Sequence, residues 1–293
     1  MPVQTLIFVN LLSTLISVAL AVSIVTFVPA LRSRVASRLA SSISWRVVSS
    51  IKEVLQYRDL NILENMRRQA SREAAAFAAQ HLATTKSFPD RFSLLAESLQ
   101  HAAAVAGGHY LEFGVFRGET CNFIASKVNG PVHGFDSFEG LPEDWTHQCP
   151  KGTFAVSALP DVRPNVTLHK GWFEQTLPRW LEKHPGPIAF LHIDADLYSS
   201  TKTVFDLLGE RLVPDSVIQF DELLNYPGWQ QGEWKAFCEF CRQRDVHYEF
   251  LGFVPSEEQV SVRICGVGTA STRGLMELAT VHSPAAAEGS VAA

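Results

Sequence analysis

Two short runs of carboxylates stand at the ends of apolar stretches in this chain. H-I-D-A-D, ending in Asp194 and Asp196, closes the run from Ile188 to Ala195; Asp221-Glu222 closes the run from Ser216 to Phe220, with a helical pattern from Ser199 to Leu212 between them. Short apolar runs of this kind read as buried strands. Two such strands joined by a helix make a parallel unit, and open α/β sheets bind ligands at the carboxyl ends of their strands. The spacing therefore predicts that Asp194, Asp221 and Glu222 converge above one edge of a sheet. Three converging carboxylates repel unless a cation lies between them, and oxygen-only donors suit a hard divalent ion such as Mg²⁺. Asp194 and Asp196 are also the groups placed to take a proton from a substrate. His192 is a third candidate if its ring reaches the site, although a buried strand histidine is the more ordinary reading.

A second chemical feature lies upstream, in Y-L-E-F-G-V-F-R-G-E-T, residues 110–120. Tyr110, Leu111 and Phe113 suit a buried strand, Gly114 and Gly118 a tight turn, and Glu119 to Val128 a helix. A glycine turn lets backbone approach a ligand closely, and the helix start directs unpaired N–H groups at any negative group of that ligand. Glu112 is oddly polar for a purely structural strand. The spacing G-x-x-x-G departs from the dinucleotide fingerprint, so by itself it equally fits a generic α/β turn. A short strand then ends at Asp136, about twenty residues after Gly114, where an acid in nucleotide-binding folds accepts hydrogen bonds from ribose. Trp172 and Phe173, at the end of a strand from Val166, suit an adenine pocket or the core equally well.

The elements that must position these residues follow a β–α alternation. Arg91 to Ala106 reads as a helix stopped by Gly107-Gly108, and Glu233 to Asp245 as a late helix. His247 to Val254 and Gln259 to Cys265 read as an antiparallel hairpin at the sheet edge. The loop 223–234, L-L-N-Y-P-G-W-Q-Q-G-E-W, carries aromatic and amide groups suited to a substrate mouth. With 46% hydrophobic residues in 293, the chain has ample material for a core. Residues 1–52 hold five basic residues and no acid, leaving 20 of the 25 basic residues against all 30 acids in the remainder, a net of −10. Such an acidic body argues against nucleic acid as a partner. The five cysteines are odd in number and scattered, which suits reduced thiols; Cys238 and Cys241 form C-x-x-C within a helical pattern, better read as a helix face than as zinc ligands.

Between Thr5 and Val28, 17 of 24 residues are apolar and none is charged, with every positive charge following the run. That pattern predicts an uncleaved membrane anchor with the body on the cytoplasmic side, over a buried helix or a targeting peptide. Leu31, Val35, Leu39, Ile43, Val47 and Ile51 recur every four residues among arginines and serines, as in a basic amphipathic helix on a membrane surface. Residues from Glu53 to about Thr84 read as a connecting or lid helix.

L-E-F-G-V-F-R-G-E-T, F-D-S-F-E-G-L-P, K-G-W-F-E-Q-T-L-P, H-I-D-A-D-L-Y-S-S-T and F-D-E-L-L-N-Y-P-G-W, in this order, resemble the macrocin/mycinamicin-type sugar O-methyltransferases of the class I S-adenosylmethionine-dependent superfamily. The resemblance covers about residues 90 to 268. It implies a Rossmann-like α/β fold with a seven-stranded, mostly parallel sheet and an antiparallel edge strand. It further implies that Glu112, Gly114 and Gly118 hold the amino-acid end of S-adenosylmethionine, with Phe116 and Thr120 in the same turn. Asp136 and Ser137 would serve the ribose, Trp172 and Phe173 the adenine, and Asp194, Asp221 and Glu222 the Mg²⁺. The family's second metal block usually reads Asp-Asp where this chain has Glu222, and related catechol-type enzymes carry a lysine where this chain has Leu197. The expected organisation is an anchor over 1–31, basic and connecting helices over 32–84, a methyltransferase domain over 85–271 and a flexible tail over 272–293.

The implied activity is methyl transfer to a hydroxyl of a sugar or other small polyhydroxylated acceptor, and the pattern leaves room for an oligomer. Two other readings stay open. Asp194-Ala195-Asp196 could be the D-x-D of a metal-dependent glycosyltransferase, which would leave the Gly114–Gly118 turn unexplained. The chain could also be a membrane-tethered S-adenosylmethionine-binding protein without catalysis, for which a clustered acidic triad would be a costly ornament.

Overall fold

The computed structural model describes residues 60–146 and 148–268. The expected anchor, the basic helix and the tail lie outside them; among the described residues no helix is long and apolar enough to cross a membrane. The chain divides into two compact units at Ser71/Arg72. Helix α1 (Ile62–His81) runs through that division. In the first unit its opening turn is capped by Asn61, whose Oδ1 accepts from Glu64 N–H at 3.2 Å, and Glu64 pairs with Arg68 one turn on.

The second unit is built on one eight-stranded sheet: β1 (Lys86–Ser87), β2 (His109–Phe113), β3 (Val132–Asp136), β4 (Val166–Lys170), β5 (Ile188–Ile193), β6 (Leu212–Phe220), β7 (Val246–Phe253) and β8 (Val260–Val267). Helices α2 (Arg91–Ala102), α3 (Glu119–Lys127), α4 (Phe173–Lys183), α5 (Tyr198–Leu208) and α6 (Glu233–Arg244) alternate with them. The sequence reading of seven strands is one short. Strand β1 is two exposed residues paired in parallel with β7, too brief to leave any period in the sequence. Strand order is β1-β7-β8-β6-β5-β2-β3-β4. All pairings are parallel except those of the final strand, β8, which lies antiparallel between β6 and β7.

This order creates a reversal. From β2 the chain steps outward to β3 and β4, then crosses back so that β5 pairs with β2 on its other side and β6 follows. Between β2 and β5 the loops leave in opposite directions, which opens a crevice at their carboxyl ends. Strand β5 is buried along its whole length, as its apolar run requires in a sheet covered on both faces. Leu111, Phe113, Phe135, Phe190, Ile193 and Phe220 are fully excluded from water. Each such side chain contributes about 1.5–3 kcal/mol relative to exposure, so the strand ends that carry the acids are held on a stiff platform. Helix α6 ends later in sequence than β6 but packs on α5, and its Phe240 ring stacks on Phe205 at 4.7 Å.

Candidate active site

A cleft of about 710 Å³ opens over the β2/β5 crevice. Its wall includes Gly114, Phe116, Asp136, Ser137, Trp172 and Phe173 together with Asp194, Asp196, Asp221 and Glu222. Ten sequence-predicted residues thus meet there. Glu112, Gly118 and Thr120 are buried and stand outside the wall.

Strand β2 ends in a turn whose glycines are set by close protein contacts, and Gly114 also lines the cleft. Gly114 has φ +92°, and a Cβ there would fall 1.7 Å from the Asp194 carbonyl oxygen. Gly118, at φ +77°, precedes α3, and its Cβ would press on Pro160 and Val162 at 3.3 Å. These glycines let the β2 turn close on the end of β5 and on the segment before β4. Asp136 ties the same turn down. Its Oδ2 accepts from Val115 N–H at 2.9 Å and Phe116 N–H at 2.8 Å, and its Oδ1 from Phe138 N–H at 2.6 Å. The carboxylate therefore joins the loops after β2 and β3 while still lining the cleft. Trp172 precedes α4, and the Phe173 ring meets Phe113 edge-on at 5.2 Å.

Asp194 N–H donates to Phe113 O at 2.9 Å and Asp221 N–H to Ile193 O at 2.8 Å, so the parallel ladder itself sets the two acids side by side. Asp194, Asp221 and Glu222 each offer a carboxylate oxygen within 4.8 Å of the others. Asp221 Oδ1 and Glu222 Oε2 are buried without a hydrogen-bond partner. Burial, then the neighbouring Asp221, raises Asp194 well above the carboxylate range, and burial with Asp194 does the same to Glu222. Unsatisfied, mutually repelling oxygens fit a hard divalent cation. Asp196 sits beside them in a left-handed conformation, φ +58°, and burial followed by Asp221 and Glu258 pushes it up to about 7.

Behind the wall, Glu112 and His192 face each other as register partners of β2 and β5. His192 Nδ1 lies 3.0 Å from Glu112 Oε1, and its Nε2 lies 3.9 Å from Asp221 Oδ1. Both side chains are fully buried, as a strand histidine predicts, so neither opens directly into the cleft.

Three contributors escaped the sequence reading. Glu233, the first residue of α6, is fully buried; its Oε1 accepts from Ala195 N–H and Thr201 Oγ1 and its Oε2 from Glu222 N–H, each at 3.4 Å. Its charge is disfavoured by burial, against the help of the Ala195 N–H. The only signal was an acid opening a helix, which ordinarily means a favourable helix dipole. Arg91, the first residue of α2, reaches Glu119 at 3.2 Å and Asp221 at 3.7 Å. The segment between β3 and β4 supplies Leu141, Lys151 and Phe154 to the wall. Leu141 and Thr153 clamp it through backbone bonds, with Gly140 so close to Thr153 O that a Cβ would lie 2.3 Å away.

Residues 111–223, which span the glycine turn and both carboxylate pairs, match a family described as a methyltransferase domain. Over this stretch the chain is similar to methyltransferase domains. A relative from Streptomyces olivaceus, 8-demethyl-8-(2,3-dimethoxy-alpha-L-rhamnosyl)-tetracenomycin-C 4'-O-methyltransferase, is 31% identical over 39% of this chain and 52% of its own length. The chain thus spans about half the length of that relative. Among solved structures, the calicheamicin methyltransferase CalS11 is similar over 69% of this chain and 93% of its own, with 22% identity and a TM-score of 0.47. The O-methyltransferase NovP is similar over 60% of this chain and 79% of its own, with 20% identity and a TM-score of 0.47. The matched stretch 111–223 holds both the turn and the acids, whereas Glu233 and Arg91 lie outside it in sequence.

Proposed function

We propose that the chain is an S-adenosylmethionine-dependent O-methyltransferase that acts on a hydroxyl of a sugar or similar small polyhydroxylated acceptor, assisted by a divalent cation. The observation that carries this reading is the cleft whose wall holds both the β2 turn and the three converging carboxylates. The matched methyltransferase domain supports the cofactor, and the Streptomyces olivaceus relative, by its name an O-methyltransferase of a rhamnosyl group, supports the acceptor class.

The turn from Gly114 to Phe116 would receive the amino-acid end of the cofactor, with Glu112, Gly118 and Thr120 shaping it from behind. Asp136 and Ser137 would receive the ribose, and Trp172 and Phe173 the adenine. When bound, the cofactor supplies an electrophilic methyl group, and Mg²⁺ held by Asp194, Asp221 and Glu222 supplies positive charge beside the acceptor oxygen. Asp196, at about 7, is poised to take the hydroxyl proton near neutrality and lies in the same wall. Leu141, Phe154 and the turn 137–142 would enclose the reacting groups and exclude water. The enzyme thereby lowers the barrier mainly by orientation and charge placement. The N-terminal segment, 5–28, would tether the body to a membrane.

The test is calorimetric titration of the full chain with S-adenosylmethionine, with and without Mg²⁺, followed by methyl transfer to sugar hydroxyls. Binding of the cofactor and transfer lost on removal of divalent ions are expected. A folded chain that ignores S-adenosylmethionine and binds nucleotide-sugars instead would sink the reading.

A further inference from the structure

Among the described residues the cleft wall carries seven carboxylates and two cations, Arg91 and Lys151. S-adenosylmethionine brings a sulfonium and an ammonium, which such a wall welcomes, and one carboxylate, which it repels. A carboxylate entering this field needs a specific cationic partner, because an unpaired charge in a partly desolvated cleft is costly. The position of Arg91 makes it that partner. It opens α2 directly after Asp90, whose side chain caps the helix by accepting from Ser93 N–H at 2.9 Å and Ser93 Oγ at 2.8 Å, so the guanidinium starts from a fixed point. From there it spans the mouth of the β2 turn: Nη2 lies 3.2 Å from Glu119, the first residue of α3, and Nη1 lies 3.7 Å from Asp221. Gly114 and Phe116, the expected seat of the amino-acid end, stand in the turn that leads into Glu119 and share the same wall with Arg91 and Asp221. Lys151 belongs instead to the segment between β3 and β4, held there through its backbone N–H, which donates to Asp144 Oδ1 at 2.7 Å, and no contact of its side chain reaches the β2 turn or Asp221 among those of the described residues.

The guanidinium is also incompletely used. Its contact with Asp221 is too long for a hydrogen bond, and Glu119 is an exposed partner, 70% accessible, that can turn aside at little cost. A planar fork with donors to spare is the side chain best suited to grip a carboxylate. We infer that Arg91 is a cofactor-binding residue that holds the carboxylate of S-adenosylmethionine at the mouth of the β2 turn. The inference rests on the methyltransferase reading above and adds to it the residue that recognises the anionic end of the cofactor.

Decarboxylated S-adenosylmethionine, which keeps the sulfonium and amine but lacks the carboxylate, separates the two. Both ligands are titrated calorimetrically into the full chain, its Arg91→Met and Arg91→Lys variants, and Lys151→Met. The unaltered chain and Lys151→Met should prefer the carboxylated ligand by about tenfold or more, the scale of a charge-assisted hydrogen bond. Arg91→Met should bind the two alike, with the loss confined to the carboxylated ligand, and Arg91→Lys should keep part of the preference and guards against a folding defect in the other variant. Equal binding by the unaltered chain, an undiminished preference in Arg91→Met, or loss of the preference in Lys151→Met would each overturn the role of Arg91 while leaving the cofactor assignment standing. Failure of the unaltered chain to bind either ligand would overturn the methyltransferase reading itself, and this inference with it.

Discussion

The carbonyl oxygen of Asp194 lies 1.7 Å from where a Cβ on Gly114 would stand. The end of β5 and the turn after β2 are therefore in backbone contact, and the acid at the floor of the cleft is placed by the glycine opposite it. Any side chain at position 114 must push the two strand ends apart and also endure φ +92°. Gly114→Ala is expected to cost at least about 1–3 kcal/mol from the strained conformation alone, with the clash added to it. Urea unfolding of the two chains measures this, and cofactor binding should be lost even where the variant folds. A variant of unchanged stability would show that the contact yields easily.

Asp196 and Glu258 give the pH dependence a definite sign. Burial first, and Asp221 next, raise both to about 7. Between about pH 4 and pH 7 the folded chain keeps protons that the unfolded chain has released, so the stability these groups contribute is full below that window and is lost as pH rises through it. Melting temperature without divalent ions should thus fall from pH 5 to pH 7.5, and less steeply in Asp196→Asn. Added Mg²⁺ should raise the melting temperature more at pH 7.5 than at pH 5, because it replaces the protons. A melting temperature that climbs with pH in the ion-free chain would contradict the acidic cluster's role.

Glu112 and His192 form a polar pair in the most buried part of the sheet, 3.0 Å apart with both side chains closed to water. Removing one partner strands the other, and a buried polar group left without its hydrogen bond costs about 1–3 kcal/mol. His192→Phe and Glu112→Leu should each be strongly destabilising, whereas the double variant should be less destabilised than the sum of the two. A double-mutant cycle by chemical denaturation reads that coupling directly. Additive effects would mean that the pair does not interact energetically.

Glu233 acts through others. By accepting from the backbone of Ala195 and of Glu222 it fixes the two strand ends that carry the acids. Glu233→Ala is expected to weaken Mg²⁺ binding by about 10–100-fold, the usual cost of losing a group that orients metal ligands. Calorimetric titration with Mg²⁺ checks this, and Glu233→Gln should restore part of the affinity because its carbonyl can still accept. Equal weakening by both variants would point to a charge effect instead of positioning.

The alternation of apolar runs and helical patterns was enough to expect a mainly parallel sheet with its acids at the carboxyl ends of β5 and β6, because strand burial and the βαβ connection leave few other arrangements. Asp194, Asp221 and Glu222 were legible for that reason: adjacent parallel strands joined by one helix must end on the same edge. The glycine turn was legible as a turn, yet its contact with β5 was not. Nothing local says that β5, some eighty residues later, returns to pair with β2, and only that return brings the Asp194 carbonyl against Gly114. The same return pairs Glu112 with His192 behind the wall.

Residues contributed by distant elements were illegible for a related reason. Arg91 and Glu233 each open a helix, where a charged residue is ordinary, and only the packing of α2 and α6 on the sheet turns them toward Asp221 and Glu222. The two-residue strand β1 leaves no period because two residues have none. Local patterns of polarity thus determined the strands, their direction and the acids at their ends, since burial and hydrogen bonding act on neighbours in sequence. The tertiary structure alone decided which ends meet, because that depends on strand order, a choice made by long-range packing over the whole sheet.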